Sequence, residues 1–477
     1  MEKPRGWRIG FVAFMLFMGT VIAAPAQTFT KLVDFNSVDG SNPSYALVQG
    51  LDGNLYGTAG LGGPGGSGTV FKITTNGVLT SLHYFCEVKN CPKGALPSSP
   101  LLLLPYGVFW GTTLDGGANS AGTLFKISST PGSFRSVYSF CAQPKCVDGS
   151  APQAALIRTA GGFLLGTTSG GGTSGFWGTA YKITSAGPLT LHSFCTQTGC
   201  PDGSDPGTLI QAADGKFYGV AGNGGKNKGG TIFTMTQDGT VSTLYSFCSQ
   251  ANCADGNGPI DLIQAVDGNL YGATYFGGSG GAGTVFKITL GGTLTTLYSF
   301  CSQANCADGS SPNGVIQATD GNLYGTTANG GTTSCHFCGT IFEITPLGAL
   351  TTLHSFDRTD GQVPEGNLVQ DTDGNFYGTA AGGGANNDGT VFRLSVGLGP
   401  FVEALPDEGK VGQDIRVLGQ GLTGTTAVSF NGTAANFVVQ SDTYLTATVP
   451  QGATTGFVTA TTPGGTLQSN VVFRVKP

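Results

Sequence analysis

Six aspartates recur just ahead of a proline along this chain, Asp39, Asp148, Asp202, Asp255, Asp308 and Asp360, with Lys93 breaking the series. Carboxylates turned to one face could collect a hard, oxygen-seeking cation such as calcium. The plainer chemistry is conformational. Each of these aspartates precedes a glycine and makes a turn by bonding its own backbone, and on that reading the protein needs no cofactor. The run Asp371 to Asn375 begins like a calcium loop, but no glutamate follows at the required distance, so it reads as a hairpin turn.

Ten of the twelve cysteines form five Cys-x4-Cys pairs: Cys86 and Cys91, Cys141 and Cys146, Cys195 and Cys200, Cys248 and Cys253, Cys301 and Cys306. In those five copies the closing phenylalanine stands twelve residues before the recurring proline, as from Phe300 to Pro312. In the two copies without cysteine the distance is eight, from Phe35 to Pro43 and from Phe356 to Pro364. A four-residue insertion therefore travels with its own cysteine pair, which predicts a local disulfide tying off each extra loop in an oxidising compartment. Zinc is the rival chemistry, but the pairs stand far apart and lack partner histidines. Cys335 and Cys338 form a separate Cys-x-x-Cys. No thioredoxin-like helix is visible beside it, so a loop staple is expected there too.

Of the four histidines, His83, His192 and His354 occupy a slot that Tyr138, Tyr245 and Tyr298 fill in sister copies, so they are read as packing residues. No nucleophile elbow, phosphate loop or metalloprotease helix is present. Asp205, Asp261 and His336 break the repeating pattern and are the groups that a polysaccharide lyase or hydrolase would use in a central opening. The aromatic departures are Phe176 and Trp177, Tyr275 and Phe276, and Phe337. These residues could stack on sugar rings or simply pack their own loops.

These groups must be positioned by a repeat of about 53 residues, present seven times. Its tyrosine of NLYG recurs as Tyr56, Tyr218, Tyr271, Tyr324 and Tyr377, its GTVFKIT aromatic from Phe71 to Phe392, and its closing phenylalanine from Phe35 to Phe356. Each unit contains four β-prone runs, with Asp-Gly turns such as that at Asp267 between the first two. The expected fold is therefore all-β: a seven-bladed β-propeller followed by a small Ig-like β-sandwich. The array opens with a lone last strand and ends without one, which predicts that residues 28–35 pair beside 391–395 and close the ring. That phasing puts the glycine-rich loops and the cysteine loops on one face and tight turns on the other.

The first 26 residues read as a secretory signal: Lys3, Arg5 and Arg8, an apolar run from Ile9 to Ala23, and a small-residue site at Ala24-Pro25-Ala26. Residues 27–397 are then the propeller and 398–477 the sandwich. No second long apolar stretch follows, so a protein without a membrane span, secreted to the cell surface, the medium or the periplasm, is expected. Only 10% of residues are charged and 81 of 477 are glycine, which suits short strands and tight turns. The net charge of −6 excludes a nucleic acid backbone as partner.

After Gly397 the texture changes to alternating strands, and the segments GKVGQDIRVLGQGLTG, AVSFNG and TVPQGATTGFVTATTPGG resemble the IPT/TIG immunoglobulin-like domain. That resemblance implies a spacer or accessory binding module with no catalytic residues. The repeats, through DGNLYGTT, the GG-rich loop, GTVFKIT and LYSF, resemble the GloVer tandem-repeat family of exported bacterial proteins. This second resemblance implies export and surface display. The function expected is thus a non-catalytic binding or adhesion protein whose long-loop face recognises a glycan or cell-surface partner. The alternatives are an extracellular propeller enzyme and a self-assembling structural component.

Overall fold

The computed structural model describes residues 27–332, 335 and 337–476. The signal expected over 1–26, and His336, lie outside the described residues.

Each repeat folds as an antiparallel sheet of consecutive strands. In the fifth, Asn257–Gln264, Leu270–Phe276, Thr284–Ile288 and Leu294–Ser299 pair in that order. Seven such sheets follow one another, the second having its first strand split into Ala95–Pro97 and Leu102–Leu104. The last is completed as expected by Thr28–Asp34, which pairs antiparallel with Thr390–Ser395 from Thr28 opposite Ser395 to Asp34 opposite Thr390.

Buried aromatics that recur in the third strand and just after the fourth join neighbouring sheets. Each closing phenylalanine lies at 0% exposure and packs on the GTVFKIT aromatic of the following repeat. The links are Phe35 to Phe71, Phe85 to Phe125, Phe140 to Tyr181, Phe194 to Phe233, Phe247 to Phe286, Phe300 to Phe342 and Phe356 to Phe392, with ring centroids 5.0 to 5.5 Å apart. Because Phe35 follows the strand that completes the last sheet, the seventh link returns to the first repeat. Buried edge-to-face pairs of this kind add about 0.5–1.5 kcal/mol each beyond area burial.

Polar links repeat the same step. The glutamine ending a first strand accepts from an amide of the preceding repeat: Gln211 from Ala160, Gln264 from Ala213, Gln317 from Val266, Gln370 from Thr319 and Gln49 from Thr372. The last of these again joins the seventh repeat to the first. The architecture is all-β and propeller-like, and among the described residues no helix is long and apolar enough to cross a membrane.

From Val402 onward two four-stranded sheets and one two-stranded sheet enclose a separate core that includes Val402, Ile415, Val417, Phe430, Leu445 and Phe473. This region sits on the tight turns. Leu418 joins the cluster of Tyr56 and Phe109, Thr443 Oγ1 donates to the Leu51 carbonyl (2.6 Å), and the Phe401 amide donates to the Thr372 carbonyl (3.1 Å). Residues Glu403 to Glu408 and Arg474 border a cavity with Leu102, Ile157, Arg158 and Ile210, the ends of the first strands of repeats 2 to 4.

Candidate functional site

All six cysteine pairs are disulfide-bonded. The ten cysteines of the repeated loops all have left-handed backbone, with φ between +44° and +58°. Non-glycine residues seldom adopt that region, so each loop is held in a conformation that its own chain would not choose.

The recurring aspartates are not gathered. Each is engaged within its own loop, and among the described residues no group of three or more His, Cys, Asp or Glu is arranged to hold a metal ion. Asp255 accepts from the amides of Ser249 and Gln250 and from the hydroxyls of Ser249 and Tyr245, all at 2.9 to 3.1 Å. Burial opposes its charge, but those donors outweigh it and hold the carboxyl below its ordinary range. Asp308 repeats this set with Ser302, Gln303 and Tyr298. Asp148 is bonded by Tyr138, Asp202 by His192 and Asp360 by His354. Asp39 takes the Asn36 side chain.

The partner of the Tyr/His slot is thus the loop aspartate, a relation that the sequence alone does not display. The separation is ten residues in the stapled loops and six in the short loop of His354, the difference being the four-residue insertion. Where Lys93 replaces the aspartate, His83 Nε2 is buried without a hydrogen-bond partner. Burial, reinforced by the Lys93 charge, pushes its pKa down to about 4.

The two long-loop sets do share a face. The Gly278 amide donates to the Cys253 carbonyl and the Gly225 amide to that of Cys200, and five sister bonds repeat the contact. Of the aromatics on this face, Phe176 is 80% exposed, Phe337 68%, Phe276 53% and Trp177 47%. Tyr275 packs edge-on to Phe276 at 4.8 Å, and no other ring contact joins these five among the described residues. Trp177 and Asp205 are neighbours, since the Trp177 carbonyl accepts from the Asp205 amide (3.1 Å). This bond belongs to another repeated set, from Leu96 to Ser67 round to Asn42 and Asp388. It places Asp205 on the rim where the first strands begin.

Inside that rim the first strands converge on one cavity of about 410 Å³, lined by residues of six repeats from Tyr45 to Asn367. Its wall is not sevenfold. Three residues separate proline from leucine in repeats 1, 2, 3 and 7, as from Pro43 to Leu47. In repeats 4, 5 and 6 only two separate the proline from the corresponding aliphatic residue, as from Pro259 to Leu262. The shorter set forms unbroken strands, Ser204–Gln211, Asn257–Gln264 and Ser310–Gln317, whereas the extra residue shortens or splits the first strand elsewhere.

Both symmetry-breaking carboxylates, Asp205 and Asp261, line this cavity. Asp261 is 6% exposed, and Asn367 Nδ2 donates to its Oδ2 at 2.7 Å from two repeats away. Gly314 of the intervening repeat makes the contact possible, because a Cβ there would lie 2.5 Å from both Asp261 Oδ2 and Asn367 Oδ1. Burial raises the Asp261 carboxyl above its ordinary range, against hydrogen bonds from Leu262, Asn367, Thr208 and Val315. Desolvation by the wall also raises Asp205, while burial and the nearby Glu365 push Tyr45 up to about 12. The cavity therefore offers an acid biased to the neutral form, an amide and hydroxyls to a polar ligand.

The sequence model described as the Gloeobacter/Verrucomicrobia repeat matches residues 18–175, 142–304 and 206–473. No curated protein matches the chain. Among solved structures it is similar to the extracellular domain of a protein assigned as a hybrid two-component system from B. thetaiotaomicron, at 14% identity and TM-score 0.52, over 92% of this chain and 55% of that one. A second such extracellular domain from that organism matches at 12% identity and TM-score 0.50, over 95% of this chain and 59% of the other. The chain spans little more than half the length of these structures, and the likeness is one of fold.

Proposed function

From the premise that this chain belongs to the Gloeobacter/Verrucomicrobia repeat family, we propose that it is an exported, non-catalytic binding or adhesion protein. In this reading residues 27–397 are a seven-bladed β-propeller closed by its N-terminal strand, and 398–477 an IPT/TIG-type immunoglobulin-like sandwich. The seven aromatic links that return to Phe71 support the first assignment, and three small sheets around one core support the second. Six disulfides support an oxidising compartment outside the cytoplasm.

The observation that carries the binding reading is the cavity itself: one polar opening shared by six repeats, where the repeat pattern is broken by Asp205 and Asp261. Concave sites with a few convergent polar groups are where proteins hold small ligands. The ligand proposed is a glycan, free or displayed on a cell surface, entering from the long-loop face past Trp177. A glycan array probed with the chain from residue 27 onward tests this. Binding weakened at least tenfold by Asp205→Ala and Trp177→Ala is expected, and binding indifferent to both would move the site elsewhere.

One observation favours a second reading, a polysaccharide lyase or hydrolase: a buried carboxyl biased toward its acid form shares the cavity with a more exposed carboxylate. Release of reducing or unsaturated ends from a polysaccharide panel, abolished by Asp261→Asn, would replace the binding reading with this one.

A further inference from the structure

We propose that the cleft between the tight turns of repeats 1 and 2 and the C-terminal region is a second ligand site, built to take a neutral oligosaccharide. It lies on the opposite face from the cavity above and does not depend on that reading.

One tight turn departs from the repeat. Five repeats make the connection between their first two strands with Asp-Gly, at Asp52, Asp214, Asp267, Asp320 and Asp373. Repeat 2 instead has Pro105-Tyr106-Gly107. Tyr106 sits at φ +80°, a region that glycine and asparagine enter without the cost a bulky side chain bears. The residue is 82% exposed, although the Arg416 guanidinium of the C-terminal region lies 4.3 Å from its ring centroid. Neither turn formation nor core packing calls for a tyrosine there. A flat aromatic platform, steadied by a cation and otherwise open, does call for one.

That platform borders a cleft of about 710 Å³, within the range of small-molecule sites. Tyr56 and Phe109, stacked at 4.2 Å, line it as well. Its walls carry hydroxyls from both sides, Ser128 to Thr130 from repeat 2 and Ser441 and Thr443 from the C-terminal region, together with the carboxylates of Asp52 and Asp442. The side chain and amide of Thr423 hold Asp442 below its ordinary range, so it is charged at neutral pH.

The chemistry selects the ligand class. Two carboxylates repel an anionic sugar, and hydroxyl-rich walls waste an aliphatic chain. A neutral sugar presents an apolar C–H face to an aromatic ring and hydroxyls that both donate and accept at its edge, as these walls do. Because the two regions each supply a wall, the site exists only when they are docked.

The test is calorimetric titration of the chain from residue 27 onward with cellohexaose, xylohexaose, maltohexaose and mannohexaose, and with a hexauronate as the charged counterpart. Tyr106→Gly suits the +80° backbone, so it removes the platform while keeping the turn. At least one neutral hexasaccharide is expected to bind, at least tenfold more weakly in Tyr106→Gly, with Leu347→Ala, an exposed residue of repeat 6, unchanged. Silence from all four neutral sugars, binding of the hexauronate alone, or binding that Tyr106→Gly leaves intact would overturn the proposal. Loss in Asp205→Ala with retention in Tyr106→Gly would do so too, while supporting the long-loop site.

Discussion

The Tyr245 hydroxyl donates to Asp255 Oδ2 at 2.9 Å, tying the end of one sheet to the loop that leads into the next. The same carboxylate caps the amides of Ser249 and Gln250, so a single side chain organises the whole stapled loop. Asp255→Ala would leave these donors unpaired at a buried position. The expected cost is about 1–3 kcal/mol, read as a lowered denaturant midpoint with unchanged m-value, along with faster proteolysis between 248 and 256. A midpoint equal to wild type would show that the disulfide orders the loop without the aspartate.

The complementary experiment is Lys93→Asp, which supplies the partner that His83 lacks. With a folded pKa near 4, below the free imidazole value of about 6.5, His83 stays neutral in the folded state. Its contribution to stability is therefore complete above the free value and is lost as pH falls from about 6.5 toward 4. A carboxylate at position 93 should raise its titration midpoint by NMR and flatten the melting temperature over that range. An unmoved midpoint would mean that the new side chain does not reach the ring.

The cavity has an equally local test. Gly314 has φ +143° and no room for a methyl group between Asp261 and Asn367. Gly314→Ala should displace the Asn367 side chain, destabilise the fold by about 1–3 kcal/mol and weaken any ligand of the cavity. Asn367→Ala in the same background removes one of the two clashing groups and should recover part of the stability. Equal melting temperatures for wild type and Gly314→Ala would contradict the packing described.

The four-strand unit, the N-terminal strand beside 391–395 and all six disulfide pairs were legible because each rests on local spacing: alternation, an Asp-Gly turn, a Cys-x4-Cys. The partners of Tyr245 and His192 were half legible. The sequence displays the recurring aspartate and the recurring Tyr/His slot, and even the lysine opposite His83, but only the folded loop brings the two columns together. The cavity was written as one residue more or less between a proline and the recurring aliphatic residue, a difference without meaning until the first strands converge. Least legible was the seating of 401–476 on the tight turns. Its contacts lie on residues such as Tyr106 and Asp371, which matter only because another region covers them.

Closure by the first strand predicts a cooperative loss. Thr28–Asp34 supplies the outer strand of the last sheet, and Phe35 carries the aromatic link to Phe71. Removing residues 27–36 deletes both and exposes the edge Thr390–Ser395, so the melting temperature should fall by about 10 °C or more and aggregation should rise. A peptide spanning 27–36 added in trans should restore part of the loss. An unchanged melt would place the junction of first and last repeats elsewhere.

The docking of the C-terminal region should depend on pH through Asp371. Sister repeats have Ala212, Ala265 and Ala318 at this position, whereas Asp371 is fully buried with Oδ2 unpartnered. Its surroundings are Asp373 on its own turn and Gln420 and Glu403 from the C-terminal region. Burial first, then the charges of Asp373 and Glu403, push Asp371 up to about 7. Burial and the charge of Asp407 bring Glu403 to about 7 as well. A carboxyl raised in the folded state keeps its contribution in full below its free value of about 4, and loses it progressively as pH rises to 7. The protein should therefore melt higher at pH 5 than at pH 7.5. Asp371→Ala, which copies the sister repeats, should raise the melting temperature at pH 7.5 and shrink that difference. If the substitution lowers the melt equally at both pH values, the carboxyl is holding the junction together through Gln420 (3.4 Å) rather than straining it.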